Sequence, residues 1–214
     1  VSDDVILHDL FKEIELTLVE ITEEDNKVGY YMENGKIVML NLVQIDLKTL
    51  PENLFKFKHL KELRIEAINS LKQLDSRLYD LPQLERLFIQ NLAIQKLPEG
   101  IEKLKNLKQL HLLLNSQLES IPYAVGELKN IEVLILDGCQ KLRIPKSIFR
   151  LENLRELSFA NVRIGRIPPE IGNLENLNYL RISGCNLSRL PESIGFLTNL
   201  TFLDVHGNRL VEIP

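Results

Sequence analysis

The sequence predicts a right-handed parallel α/β solenoid, a coil built from stacked copies of one short unit. The unit is clearest at Leu177–Pro191, where the residues follow the spacing L-x-x-L-x-L-x-x-C-x-L-x-x-L-P. Leu180 and Ile182 lie two residues apart, so a strand would point both to the core and Tyr179 and Arg181 to the opposite face. A single coil cannot bury its apolar faces alone and needs stacked neighbours.

The same pattern recurs along the chain every 23 or 24 residues. The eight copies begin at Ile37, Leu60, Leu84, Leu107, Ile131, Leu154, Leu177 and Leu200. A proline ends the leucine spacing in seven of the eight copies, and Asp75 takes its place in the second. Residues 37–214 are therefore predicted to form one repeat domain, with a parallel sheet on the concave side and short 3-10 or other helical turns on the convex side.

Residues 1–36 lie outside the repeat pattern, and we interpret them as a cap. Without a cap, the first coil would expose apolar residues and an unpaired strand edge. Ser2 precedes two acidic residues and an apolar stripe of Ile6, Leu10 and Ile14, which predicts a helix. The alternative is an independent functional domain of 36 residues.

The remainder of the cap is predicted to contain a strand, a turn and a hairpin. The alternation of Ile14, Leu16 and Leu18 favours a strand, and residues 23–26 are typical of a turn. The dipeptide Asn34-Gly35 suits a two-residue hairpin turn. We therefore expect Val28–Met32 to pair antiparallel with the first repeat strand.

The composition restricts the kinds of partner that the chain can have. A content of 44% hydrophobic but only 6% aromatic residues indicates a core of leucine and isoleucine. The net charge of -4 argues against nucleic acid as a partner. The sequence has no run of 18 apolar residues, so we expect no membrane span.

Two cysteines, Cys139 and Cys185, occupy the same position two repeats apart. At the spacing of paired strands this separates them by about 10 Å, which is too far for a disulfide. We interpret them as small buried residues of the inner turn, with a reactive thiol as the alternative. Without a terminal cysteine cluster, a cytoplasmic location is favoured, and a bacterial cell surface is the alternative. Because the sequence starts at Val1 and not at methionine, removal of a leader peptide is an open alternative. We expect the natural protein to continue beyond Pro214.

Strand residues that point away from the core predict an interaction surface on the concave side. Large apolar side chains there mark contact sites, although strand propensity alone also favours them. The first predicted patch comprises Phe88, His111, Leu113, Val133 and Ile135. The second comprises Tyr179, Arg181, Phe202 and His206, which include residue types that dominate interface hot spots. We expect Phe88 and Tyr179 to point to solvent.

Charged residues of mixed sign occupy the strand of the second repeat and the start of the third. They are Glu62, Arg64, Glu66, Glu85 and Arg86. We expect these residues to form a solvated ladder of weak ion pairs, because exposed pairs of this kind contribute little to stability.

These repeats resemble the leucine-rich repeat superfamily over residues 37–214. The segments LPESIGFLTN and IPPEIGNLEN are similar to cytoplasmic Ras-group and scribble-type repeats and to many bacterial and archaeal repeat proteins. ILDGCQKL is similar to repeats of plant intracellular immune receptors, although no nucleotide-binding domain accompanies it here. The resemblance implies a horseshoe that binds a protein or peptide on its concave sheet, and it does not name the partner.

An enzymatic reading rests on Ser183, Asp204 and His206, the side-chain types of a catalytic triad. We expect the Asp204 and His206 side chains to lie about 7 Å apart, on an open sheet without an oxyanion hole. His111 and His206 are four strands apart, about 19 Å, so we expect no shared metal. The sequence also contains no glycine-rich phosphate loop and no CxxC pair, and we expect no cofactor.

The sequence therefore predicts a non-catalytic module that binds a protein or peptide on the concave sheet. Three alternatives stay open. The first is that the chain is the targeting part of a larger enzyme such as a kinase, GTPase or ubiquitin ligase. The second is that it is a surface protein that binds glycan or lipid. The third is that it is an architectural array without a specific ligand.

Overall fold

The computed structural model describes residues 2–22 and 27–214, so the turn predicted at residues 23–26 lies outside the described residues. Its strands are β1 Val19–Glu20, β2 Gly29–Glu33, β3 Lys36–Val43, β4 Glu62–Glu66, β5 Arg86–Gln90, β6 Gln109–His111, β7 Val133–Ile135, β8 Glu156–Ser158, β9 Tyr179–Arg181 and β10 Phe202–Asp204. Its helices are α1 Asp3–Ile14 and the short 3-10 helices η1 Glu52–Lys56, η2 Ser76–Asp80, η3 Ile101–Lys103, η4 Tyr123–Glu127, η5 Lys146–Arg150, η6 Pro169–Asn173 and η7 Glu192–Phe196.

The strands form one sheet in chain order, which confirms the predicted right-handed solenoid. From β3 to β10 every neighbouring pair is parallel, and equivalent residues of successive repeats lie side by side, as Leu63, Leu87 and Leu110 do. The 3-10 helices alternate with these strands and form the convex side. The second residue of each three-residue strand therefore always faces the core.

One apolar core runs through all the repeats. The sheet contributes fully buried leucines and isoleucines, and the return wall contributes residues such as Leu54 and Phe57. These return-wall residues occupy the two apolar positions that follow each proline position in the sequence. The stacking of neighbouring coils buries them, because no coil has enough apolar partners of its own.

The N-terminal block shares this core with the first repeat. Helix α1 buries Ile6, Leu7 and Leu10 against it, and the Asp3 carboxylate accepts a 2.7 Å hydrogen bond from the Ile37 N–H. Strand β2 pairs antiparallel with β3 through the Asn34-Gly35 turn, as predicted. These contacts support our proposal that residues 1–36 cap the solenoid.

The strand predicted from Ile14 to Leu18 is wrong. Helix α1 continues through Ile14 and ends where Glu15 adopts a left-handed conformation, with φ of 53°. The first strand, Val19–Glu20, begins only after Leu18. The helical stripe of apolar residues therefore prevails, because it packs on the core, over an alternation that spans only five residues.

Asparagine side chains connect five successive return loops to the loop of the preceding repeat. The Nδ2 atoms of Asn106, Asn130, Asn153, Asn176 and Asn199 donate 2.8 Å hydrogen bonds to the carbonyl oxygens of Pro82, Lys105, Lys129, Glu152 and Glu175. This ladder satisfies loop carbonyls that the sheet cannot reach. It runs parallel to the sheet along five successive repeats.

The inner turn is held by asparagine in only some repeats. Asn115 accepts a hydrogen bond from the Leu92 N–H at 2.9 Å and donates one to the Ile89 carbonyl at 2.7 Å. Asn208 makes the equivalent bonds in the last repeat. In the second repeat the buried residue at this position is Ile68. The next residue, Asn69, is exposed and does not take the place of the inner asparagine.

The two cysteines replace this asparagine in their own repeats. Both are buried and unpaired, and their thiols donate to the carbonyls of Leu112 and Phe159, at 2.7 and 3.1 Å. Burial raises the pKa of both thiols to about 11. At neutral pH they are therefore protonated donors rather than reactive thiolates.

Replacing Asn115 with leucine, which the preceding repeat has at this position, will lower the free energy of unfolding by about 2–3 kcal/mol. The substitution leaves the Leu92 N–H and the Ile89 carbonyl buried without partners. Urea unfolding followed by circular dichroism measures the change. The exposed Asn69→Leu variant is the control and will change stability by less than about 0.5 kcal/mol. Equal stability of the two variants would contradict the role assigned to Asn115.

Candidate functional site

The parallel register aligns the outward-facing side chains of the concave face in columns across the sheet, and two of these columns lie within the strands. The first column is Met39, Glu62, Arg86, Gln109, Val133, Glu156, Tyr179 and Phe202. The second is Asn41, Arg64, Phe88, His111, Ile135, Ser158, Arg181 and Asp204. Because strands lie about 4.8 Å apart, neighbours within a column are in direct contact.

Three of the five charged residues expected in a solvated ladder, Glu62, Arg64 and Arg86, instead form an ion-pair cluster around a buried carboxylate, whereas Glu85 makes a solvent-accessible pair with Lys108. The Glu62 side chain is only 4% exposed, and one of its carboxylate oxygens accepts from Arg64 Nε at 2.7 Å. The other accepts from Arg86 Nε on the next strand. The buried Glu62 carboxylate is thus compensated by two guanidinium groups from adjacent strands, which makes this cluster a structural element rather than a free contact surface.

The expectation that Phe88 points to solvent is wrong. Its ring is covered by the Arg64 guanidinium at 4.1 Å and by the stacked His111 ring at 4.5 Å, and the residue is only 8% exposed. Ile135 is covered similarly and is 7% exposed. Long side chains on strands 4.8 Å apart close over a neighbour that points in the same direction. The accessible part of the first patch is therefore His111, Leu113 and Val133, which are half-buried.

Burial also changes the acid–base behaviour of His111. Desolvation is the main cause that lowers the pKa of its imidazole to about 4, and the nearby Arg64 acts in the same direction. Glu62 acts in the opposite direction, but Arg64 and Arg86 already neutralise it. His111 is therefore neutral at physiological pH and forms an uncharged, ring-stacked centre of the concave face.

The second patch stays accessible and is built around an aromatic pair. The Tyr179 and Phe202 rings stack at 4.3 Å with an interplanar angle of 4°, and Phe202 is 44% exposed. Glu156 lies next to Tyr179 in the same column and has no ion-pair partner among the described residues. Desolvation, followed by the charge of Asp137, raises the pKa of Glu156. An aromatic surface thus lies directly beside an unpaired carboxylate.

Arg181, in the second column, lies between two carboxylates. Its Nε is 3.1 Å from Asp204 Oδ2, and its Nη1 is 3.9 Å from Asp137 Oδ2. Asp137 also accepts hydrogen bonds from the Ser158 hydroxyl and the Ala160 N–H. Together with Glu156, this half of the face has three carboxylates and one guanidinium, so negative charge is in excess.

The expected 7 Å separation of Asp204 and His206 is wrong, because the histidine ring turns back along its strand. His206 Nδ1 lies 2.5 Å from Asp204 Oδ1. Burial opposes ionisation of Asp204, but hydrogen bonds from His206 and Ser183 lower its pKa. The carboxylate lies between the serine and the histidine, whereas a catalytic triad has histidine in the middle. The Ser183 hydroxyl also accepts a 3.3 Å hydrogen bond from Arg181, so this arrangement does not activate a nucleophile.

The predicted site residues thus divide into three groups. The structure brings Tyr179, Arg181, Phe202 and His206 together on an accessible surface, places Phe88 and Ile135 underneath their neighbours, and leaves His111, Leu113 and Val133 half-buried. The sequence reasoning did not single out Glu156 and Asp137. Their positions in the sequence could have indicated them, since each is an outward-facing residue of a repeat next to a predicted contact residue.

Residues 2–22 and 27–214 contain neither a metal-binding cluster nor a helix that could span a membrane. Within these residues no group of three or more histidine, cysteine, aspartate or glutamate side chains could hold a metal ion. None of the helices in this part of the chain is long and apolar enough to cross a membrane.

Comparison with known sequences decides the family. A family model described as a leucine-rich repeat region matches residues 55–166 and 127–214, which together are well over half of the chain. The chain belongs to the leucine-rich repeat family. A search of curated proteins found no significant match.

Solved leucine-rich repeat structures share the fold. A leucine-rich repeat protein of Leptospira interrogans is 26% identical, with a TM-score of 0.61 over 82% of this chain and 56% of its own. The leucine-rich repeat domain of the type III effector XopL is 25% identical, with a TM-score of 0.71 over 86% of this chain and 72% of its own. The plant peptide hormone receptor RGFR1, solved in complex with RGF2, is 25% identical, with a TM-score of 0.68 over 87% of this chain and 34% of its own.

These neighbours identify the general type of molecule. The chain spans little more than half of the Leptospira protein and about a third of the plant receptor. Receptor and effector domains of this fold are protein-interaction modules, and leucine-rich repeat domains are generally non-catalytic. The fold therefore assigns this chain to the protein-interaction modules, and its contact surface has to be argued from its own residues.

Replacing Phe88 with glutamate will destabilise the fold by at least about 3 kcal/mol, because it removes a buried ring that packs on Arg64 and His111 and puts a carboxylate in its place. Thermal and urea unfolding measure the effect. Phe196→Glu is the control, since Phe196 lies on the convex side and is 68% exposed. It will change stability by less than about 0.5 kcal/mol. Wild-type stability of the Phe88→Glu variant would show that the ring is not buried.

The free energy of unfolding of the wild type will fall more steeply between pH 6.5 and about 4 than that of His111→Gln. In this window the unfolded histidine takes up a proton while the folded one, with its pKa lowered to about 4, does not. The unfolded state therefore binds more protons, and acid favours it. Urea unfolding at a series of pH values measures the difference between the two proteins. Parallel curves would contradict the assigned pKa.

Proposed function

We propose that this chain binds a protein or peptide through the C-terminal half of its concave face. The observation that supports this most directly is the stacked Tyr179–Phe202 pair, in which Phe202 is 44% exposed and Tyr179 is half-buried. Exposed aromatic area of this kind is unfavourable in an isolated protein and is typical of interface hot spots. The half-buried Val133 and Leu113 extend the apolar strip toward the middle of the solenoid.

The charges on this surface indicate what kind of segment it would accept. Glu156 is unpaired, and Asp137 and Asp204 are only partly neutralised by Arg181. A partner segment with an aromatic or aliphatic side chain next to lysine or arginine would complement both the ring pair and the carboxylates. The excess of carboxylates disfavours nucleic acid on this face.

The comparisons support this proposal without naming a ligand. The plant receptor RGFR1 was solved in complex with RGF2, so a solenoid of this kind supports recognition of a peptide hormone in that protein. A shared fold transfers the mode of binding more readily than the ligand. The proposed site therefore depends on the residues of this chain.

A second candidate is that the chain is the targeting part of a larger protein. The XopL domain is a leucine-rich repeat unit of a type III effector, and this chain covers 72% of that domain. In this case the concave face would still bind a partner, and the activity delivered to that partner would belong to a different part of the protein.

The Tyr179→Ala/Phe202→Ala double variant will lose binding to peptides that the wild type selects from a displayed library of random 12-residue sequences. The selected peptides will be enriched in aromatic residues next to lysine or arginine, because such side chains complement the ring pair and Glu156. Fluorescence polarisation of individual selected peptides will show an affinity loss of at least about tenfold for the double variant.

The matched control is the Tyr123→Ala/Phe196→Ala double variant. It removes the same two ring types from the convex side, where both residues are exposed. We expect it to bind the selected peptides as tightly as the wild type. Equal losses in both variants, or equal binding by the concave variant, would place the contact surface elsewhere.

A further inference from the structure

A cavity of about 510 Å³ opens on the flank of the solenoid, away from the concave face. It lies between the fifth and sixth repeats, where the chain leaves the sheet for the convex side. Its walls come from the loop before η5, from η5 itself, and from the loop that precedes η6. This volume is in the range of small-molecule sites.

The cavity opens because a second backbone ladder stops there. On this flank Lys96, Ser120 and Arg143 of three successive repeats are connected by parallel bridges. The next residue in that series is Arg166, but its N–H donates to Ile164 within its own loop, and the Gly165 N–H donates to Cys185 of the following repeat. The sixth loop therefore turns away from the fifth, and the flank is open on one side only.

The packing of the convex helices also favours an opening at this repeat. Gly126 and Gly172 occupy the fourth position after the proline, and a Cβ atom on either would lie within 2.8 Å of the carbonyl oxygen of Ser147 or Ser193 in the next repeat. Between these two repeats the same position holds Phe149. Its ring needs space that the glycines do not, and it lines the cavity.

The floor of the cavity is apolar. The buried rings of Phe149 and Phe159 lie at its base, and Ile144 and Ile164 lie half-buried on its walls. Apolar walls of this kind favour a hydrocarbon body in place of water.

The rim is positively charged and incompletely neutralised. Arg143, Arg163 and Arg166 line the cavity, are exposed, and have no acidic partner within ion-pair distance among the described residues. Only Lys146 is paired, at 3.0 Å from Glu170. Three arginines that line one cavity repel one another, and an anion between them would relieve that repulsion while accepting hydrogen bonds from their N–H groups.

We propose that this cavity binds a small amphipathic anion, with its carboxylate or phosphate head between Arg143, Arg163 and Arg166 and its apolar body against Phe149 and Phe159. An extended peptide fits less well, because the intact ladder of Lys96, Ser120 and Arg143 closes the flank over the preceding repeats. The proposal does not depend on the function of the concave face, since none of the concave contact residues lines the cavity.

Titration with decanoate at submicellar concentration tests this assignment. The probes are the methyl groups of Ile144 and Ile164, observed by carbon–proton NMR on the full chain, with the fully buried Ile68 as an internal reference. We expect saturable shifts of the two cavity methyl groups and none at Ile68. Affinity will increase from octanoate to decanoate by up to about fourfold per methylene. Decanol and decyltrimethylammonium will bind at least about tenfold more weakly.

Two variants separate specific binding from general attraction to positive charge. Arg163→Gln/Arg166→Gln removes half of the four cations at the rim, and Arg155→Gln/Arg209→Gln makes the same charge change at exposed arginines that do not line the cavity. We expect the first pair to weaken decanoate binding by at least about tenfold and the second to leave it unchanged. Equal losses in both pairs, equal affinity for the cationic amphiphile, or no shift of Ile144 and Ile164 at millimolar decanoate would each overturn the proposal.

Discussion

The structure depends above all on the need to satisfy the backbone of every turn by the coil beside it. Parallel strands do this on the concave side, but the loops that connect them have no such ladder of their own. Side chains take over this role. Asparagines bridge five successive return loops to the loop before each, and Asn115 and Asn208 hold the inner turn from inside. In two of the repeats that lack the inner asparagine, the Cys139 and Cys185 thiols donate in its place.

The same stacking determines which concave residues are available for contact. A spacing of about 4.8 Å brings column neighbours into van der Waals contact, so a large residue between two long ones becomes buried. This happens to Phe88 between Arg64 and His111. In the C-terminal half, Tyr179 and Phe202 stack on each other and leave Glu156 unpaired beside them. The face thus has one half in which charged residues pair around Glu62 and another half in which the exposed aromatic pair lies beside an unpaired carboxylate.

Much of the fold could be predicted from the sequence, since the repeat positions, the sheet register, the hairpin at Asn34-Gly35 and the convex 3-10 helices all follow from spacing. The structure of the site was less predictable. Strand alternation tells which way Phe88 points but not which side chains cover it, and it cannot give the rotamer that brings His206 onto Asp204. The cavity beside Phe149 was not foreseeable, because it depends on where the loop hydrogen bonds near Arg166 stop.

The two buried thiols have a consequence for how the solenoid can be studied. Each is fully enclosed, protonated at neutral pH, and attached to a carbonyl of the preceding coil. An alkylating reagent can reach a thiol of this kind only while its coil is transiently detached from its neighbour. Since Cys139 and Cys185 lie two repeats apart, the labelling rate of each thiol measures local opening of the solenoid at a different repeat. Comparing the labelling rates of the two thiols therefore tells whether the solenoid opens from one end or as a unit.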